Sequence, residues 1–158
     1  VTMYQAKIMR ERQKASAWPY VMLAHSNAHG SELVVQNVGL GPALVRTVEF
    51  TMDGRAVRTW EELWRAVAQG DTVLPPEVVT SDVGAGTVLL PGNMVETFRI
   101  DAPKSVAGRL DQVARHDRLV RRLCYCSLYD DCWVADSHAE APVAVRACVV
   151  DTSRAFRN

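Results

Sequence analysis

Along much of this chain apolar and polar residues alternate one for one, the period of a strand with one buried face. Leu33 and Val35 alternate with Val34 and Gln36. From Ala43 a longer run places Leu44, Val48, Phe50 and Met52 on one face and Val45, Thr47, Glu49 and Thr51 on the other, with Arg46 interrupting the apolar side. Residues 20–25 read as an earlier strand that ends in the turn Ser26-Asn27-Ala28-His29-Gly30. Asp53-Gly54 is a tight-turn signal, and Ala56-Val57 a short return strand behind it. Another short strand is expected near Val78-Val79. Residues 87–90 and 94–100 are expected to pair about Pro91-Gly92-Asn93, with Met94, Phe98 and Ile100 inward and Glu96 as the misfit. Residues 119–128, 132–135 and 143–150 complete the strands. In the last, Val143, Val145, Ala147 and Val149 alternate with Arg146 and Cys148.

Three stretches switch to helical spacing. Residues 1–17 lack Pro and Gly and carry Lys7, Arg10, Glu11, Arg12 and Lys14 around Tyr4, Ile8 and Met9, which predicts a mostly solvated helix ended by Trp18-Pro19. Thr59 and Glu62 form a capping-box pattern ahead of Trp60, Leu63, Trp64 and Val67, with Gly70 as the stop. Asp101-Ala102-Pro103 opens a third helix through Val106, Leu110 and Val113 to about His116. Gly108 inside it costs about 1 kcal/mol relative to Ala. Asn37, Gly39, Gly41 and Pro42 must stop regular pairing, since glycine accepts positive φ and proline surrenders a donor. The segment from Asp71 through Pro75-Pro76 to Gly86 reads as an irregular connection.

The sum is a mainly β fold, an antiparallel sandwich of about seven to nine strands. Residues 1–17 form a helix or stalk, 18–151 the sandwich with two short inserted helices, and 152–158 a polar, fraying tail.

The run Asn37-Val38-Gly39-Leu40-Gly41-Pro42-Ala43, the Asp53-Gly54 turn and Leu90-Pro91-Gly92 carry a resemblance. Over roughly residues 18–101 the chain resembles immunoglobulin-like modules of bacterial surface and periplasmic proteins, and is similar to the CARDB-type adhesion-related domains. Trp18-Pro19-Tyr20 and the segment from Tyr125 to Trp133 also look like those of membrane-anchored bacterial proteins. The two helical insertions and the cysteine cluster depart from the adhesion-related pattern. The resemblance implies a periplasmic location and an anchoring segment more than an activity.

At 158 residues the chain is long enough to bury a core without disulfides. Lys plus Arg and Asp plus Glu both number 18, which removes the overall electrostatic footprint of a nucleic-acid binder. Neither a bilayer-spanning apolar run nor a secretory leader is visible. Val1 opens the chain without an initiator Met, so it reads as a cut or processed product that leaves room for a removed anchor.

Chemistry concentrates at Cys124, Cys126, Cys132 and Cys148. Asp130-Asp131 turns the loop between Cys126 and Cys132, which could bring them to disulfide distance, ~4.4–6.8 Å between Cα atoms. Cys148 could meet Cys124 from an adjacent strand. Free thiols are a second reading. A zinc site of Cys124, Cys126 and Cys132 with His138 or Cys148 is a third, although C-x-C-x5-C fits zinc spacing poorly. A nucleophilic cysteine beside His116 or His138 has no local signature. His25 and His29 flank a turn and read as surface histidines, and Trp60 and Trp64 as core rather than a ligand platform. Gly84-x-Gly86 lacks the rest of a phosphate-binding fingerprint. No cofactor and no catalytic residue is called. The expected function is a non-catalytic interaction domain, meeting an unknown protein partner or a second copy, without nucleic acid, and meeting a membrane only through a segment outside this chain. The alternative is a soluble, cytoplasmic metal-binding or thiol-dependent protein using the cysteine cluster.

Overall fold

The computed structural model describes residues 2–27, 30–69, 77–101 and 104–157, without the side chains of residues 77, 101 and 104–107. These form α1 (Met3–Ser16), β1 (Val21–Ser26), β2 (Ser31–Asn37), β3 (Ala43–Met52), β4 (Arg55–Val57), α2 (Trp60–Ala68), β5 (Glu77–Thr80), β6 (Val88–Leu89), β7 (Met94–Asp101), α3 (Lys104–Arg115), β8 (Leu119–Cys126), β9 (Cys132–Asp136) and β10 (Val143–Val145). One sheet runs β1-β2-β7-β5. The other runs β10-β9-β8-β3-β4, with β6 also on β3. Every pairing is antiparallel. The mainly β expectation holds.

The core lies between the sheets. Leu33, Val35, Phe98 and Ile100 from the first meet Val45, Phe50, Leu123 and Tyr125 from the second. Leu63 and Val67 of α2 and Leu110 and Val113 of α3 join the same cluster. Full burial stabilises each such side chain by about 1.5–3 kcal/mol. Trp60 stacks on Phe98 at 5.3 Å, so its indole serves the core. Helix α2 starts as expected, with Thr59 Oγ1 accepting the Glu62 N–H. It ends on Gln69 in the left-handed region (φ 53°); Gly70, the expected stop, lies outside the described residues. So do most of the 71–86 connection's first half and Ala102-Pro103.

Two bulges correct the predicted faces. Strict alternation would send Val45 to the wet side of β3, yet Val45 is buried, because the β3–β8 register shifts between Val45 and Thr47. The extra residue inverts the parity, so Ala43 and Val45 point inward before it and Val48, Phe50 and Met52 after it. In β7, Leu33 faces Phe98 while Val34 faces Glu96, which skips Thr97. Met94 is consequently exposed and Val95 packs on the core. The misfit Glu96 never points inward; it pairs with Arg99 at 2.9 Å.

The glycine-proline corner carries the chain from one sheet to the other. Asn37 is fully buried there. Its Oδ1 accepts N–H bonds from Tyr20 (3.2 Å) and Gly39 (3.0 Å), and its Nδ2 donates to the carbonyls of Gly41 and Leu89, both at 2.8 Å. Gly39 and Gly41 are required for closeness rather than for positive φ: a Cβ on Gly39 would strike the backbone of Trp18 to Tyr20, and one on Gly41 the Ala17 carbonyl. The Pro91-Gly92 turn is also a crossing. Residues 87–90 do not pair with β7; β6 joins β3, and the chain changes sheet at Gly92 (φ 81°). By contrast Asp53 (φ 50°) and Gly54 (φ 78°) make the expected two-residue hairpin turn between β3 and β4.

The predicted last strand is shorter than its alternation suggests. β10 pairs with β9 at Val143–Val145, after which Val149 and Val150 face solvent. From there the chain crosses the outer face of the second sheet as a strap. Arg154 meets Glu49 at 3.5 Å, and Phe156 donates its N–H to Val48 O at 2.9 Å while its ring packs on Phe50 and Trp60. The tail expected to fray is thereby docked. It fills the gap on the edge of β3 between β6 and β4, which covers backbone groups that would otherwise invite another strand.

Candidate functional site

Strand β8 sends Leu123 and Tyr125 into the core, so the alternating Cys124 and Cys126 face outward beneath the strap. Cys126 stands opposite Cys132 in the β8–β9 ladder, and the two form a disulfide with Cα atoms 4.0 Å apart. Ser127 N–H donates to Asp131 O at 2.8 Å next to them. That leaves Cys126 and Cys132 at a non-hydrogen-bonded position, where facing backbones approach most closely. Cys148 is bonded to Cys124, with Cα atoms 5.8 Å apart. It arrives on the crossing strap, not on a neighbouring strand. Four sulfurs therefore gather on one face: Cys126 Sγ is 3.8 Å from Cys148 Sγ, and those of Cys126, Cys132 and Cys148 lie within 4.8 Å of one another.

Both bonds occupy the thiols that a zinc ion would need as thiolates, so a metal would require their reduction. His138 sits elsewhere. Its Nε2 is 3.5 Å from Asp117, which precedes β8, whereas Cys126 and Cys132 lie at the other end of the β8–β9 ladder. His116 follows α3 and is exposed to solvent.

Beside the Cys124–Cys148 bond runs an open groove of about 410 Å³, lined among others by Thr47, Glu49, Arg122, Asp136 and Val143. Its acids are matched. Arg122 Nε donates to Asp136 at 2.7 Å, and Glu49 faces Arg154. Partial burial alone would push the Asp136 carboxyl up, but the bonds from Arg122 and the His138 backbone N–H hold it below its usual value. Lys14 of α1 reaches Asp131 in the β8–β9 turn at 3.0 Å and fixes the helix near the same end.

A second constellation gave no sequence signal, because its members are far apart along the chain. His25 Nε2 lies 2.9 Å from Ser31 Oγ, and its Nδ1 lies 3.5 Å from Asp111 Oδ1. The order is that of an acyl-transfer triad. However, Ser31 is 1% exposed, and the same Asp111 oxygen accepts from Arg115 Nε at 2.8 Å. Burial lowers the His25 pKa, against the opposing pull of Asp111. The arrangement ties α3 to the start of β2 and is closed to a substrate as it stands. His29, the other half of the histidine pair, lies outside the described residues.

Arg121 was also missed. It spans the layers from β8 and donates to Ala24 O at 3.0 Å and Val34 O at 3.4 Å, its pKa pushed down to about 10 by burial. Comparison of the chain with protein-family models, with curated proteins and with solved structures finds no match in any of the three.

Proposed function

We propose that this chain is a non-catalytic interaction domain of immunoglobulin-like type, held on the outer side of a bacterial inner membrane. The observation that carries the location is the pair of disulfides, since such bonds persist in oxidising compartments. The strand order supports the type. β1-β2-β7-β5 follows the A-B-E-D order of immunoglobulin-like sandwiches, and β9-β8-β3 the G-F-C order. Helix α1 supports a partner, because none of its 14 residues is buried and a helix of ~12–15 residues is marginal alone. A protein partner or a second copy would supply its missing contacts. Among the described residues no helix is long and apolar enough to cross a membrane, so anchoring would fall to a segment outside them.

The test is protease access in cells whose outer envelope has been opened and whose inner membrane is intact. The proposal expects digestion of the domain at that stage; protection until the inner membrane is lysed overturns it. The clustered sulfurs favour a second reading, a cytoplasmic protein that holds zinc through reduced cysteines. That reading expects about one zinc per chain in protein isolated without reductant.

A further inference from the structure

We propose that the four sulfurs form an exchange site for an external dithiol, and that exchange moves the strap's anchor from Cys124 to Cys126. The inference rests on the disulfide reading above. It starts from the contact between the two bonds: Cys126 Sγ and Cys148 Sγ are 3.8 Å apart, van der Waals contact for two sulfurs. Cys148 is also the least buried of the four residues and sits in the strap rather than in a ladder.

A thiolate of the dithiol attacks Cys148 Sγ, forming a mixed disulfide and expelling the Cys124 thiolate, which takes up a proton. The second thiol of the reagent, as thiolate, closes on the first, leaves as the oxidised cyclic or protein disulfide, and releases Cys148 as a thiolate. Two electrons and one proton have then passed to the protein, and the second proton follows on Cys132. The Cys148 thiolate then attacks Cys126 Sγ, already in contact. The Cys126–Cys132 bond breaks, a Cys126–Cys148 bond forms, and the Cys132 thiolate is protonated. Entry at Cys132 instead would free Cys126 to attack Cys148 and expel Cys124, with the same product. Cys124 Sγ falls outside the mutual 4.8 Å group of the other three sulfurs, so the new bond is the one that contact favours.

The product holds Cys148 on Cys126, two residues further along β8 than Cys124, and closes their 3.8 Å sulfur contact to a bond. It also unclasps the β8–β9 turn, whose Asp131 receives Lys14 of α1. One two-electron reduction would therefore move the strap's tether from Cys124 to Cys126 and loosen the seat of α1.

Two variants approach the contact from opposite sides. In Cys132→Ser, Cys126 is left free beside the Cys124–Cys148 bond; in Cys124→Ser, Cys148 is left free beside Cys126–Cys132. Each is purified oxidised, acid-quenched, alkylated and mapped by mass spectrometry. Exchange predicts label divided between Cys126 and Cys124 in the first and between Cys148 and Cys132 in the second, with ratios independent of protein concentration. Label confined to Cys126 and to Cys148, respectively, overturns the proposal. Wild-type chain under graded dithiothreitol gives a readout free of folding defects in the variants. Its two-thiol species should carry label at Cys124 and Cys132, and label at Cys126 with Cys132 or at Cys124 with Cys148 alone would contradict exchange. Mapping before dithiothreitol separates the two readings: four free thiols at that stage sink the disulfide reading and exchange together, whereas native pairing with confined label sinks exchange alone.

Discussion

Asn37 uses all of its amide: two acceptor bonds on Oδ1 and two donor bonds on Nδ2, at a position with no exposed surface. Truncation would strand two carbonyls and two N–H groups inside the protein. Asn37→Ala should therefore cost about 3 kcal/mol, read as a lower urea midpoint at unchanged slope. A loss under about 1 kcal/mol would mean that the junction is held by other contacts. The glycines make a sharper contrast. Gly41→Ala places a methyl on the Ala17 carbonyl and should lose at least about 2 kcal/mol. Gly108→Ala, in α3 with nothing within 4 Å of the added carbon, should gain about 0.5–1 kcal/mol. Thermal melts of the two side by side check both signs. Asn37 and its glycines were legible as a break in the strand pattern. Their reason was not, because it lies in Trp18, Ala17 and Leu89, which no local window contains.

Elements differ in how much each disulfide does for them. Cys124–Cys148 closes a loop with a sequence separation of 24, and Cys126–Cys132 one of 6 across a hairpin already paired by its ladder. Chain-entropy bookkeeping gives about 3.5 kcal/mol for the first and about 2.4 kcal/mol for the second. Cys124→Ala/Cys148→Ala should thus lower the urea midpoint more than Cys126→Ala/Cys132→Ala, and should also expose the strap to proteases. The reverse order would contradict the strap's role. At this scale the sequence was partly readable. Alternation located most strands, and the spacing of Cys126 and Cys132 suggested their clasp. It misassigned Val45, Met94 and Glu96, since one bulged residue inverts a period of two. It also read residues 143–150 as one strand, although a covalent bond to Cys124 draws the chain off the ladder after Val145.

Across the whole molecule, the sheets and helices are joined by buried polar ties that hydrophobic patterning does not register. Arg121 reaches from the second sheet to carbonyls of the first, and His25 links the first sheet to α3. The His25 pKa is lowered in the fold, chiefly by burial, so the unfolded chain binds its proton more readily. Its stabilising share is complete above the unfolded value of 6.5 and is lost as pH falls from there through the folded value. The urea midpoint should drop as pH falls below about 6.5, and His25→Gln should flatten that drop. An equal drop in the variant would assign the pH dependence to other groups.

The proposed compartment stands on the oxidation state of four sulfurs. Thiol titration of the protein as isolated without reductant, native and then denatured, with zinc measured on the same sample and bridged peptides mapped, reads that state directly. The account predicts no titratable thiol in either condition, Cys124 linked to Cys148, Cys126 linked to Cys132, and no stoichiometric metal. Four thiols on denaturation with one zinc per chain would contradict it.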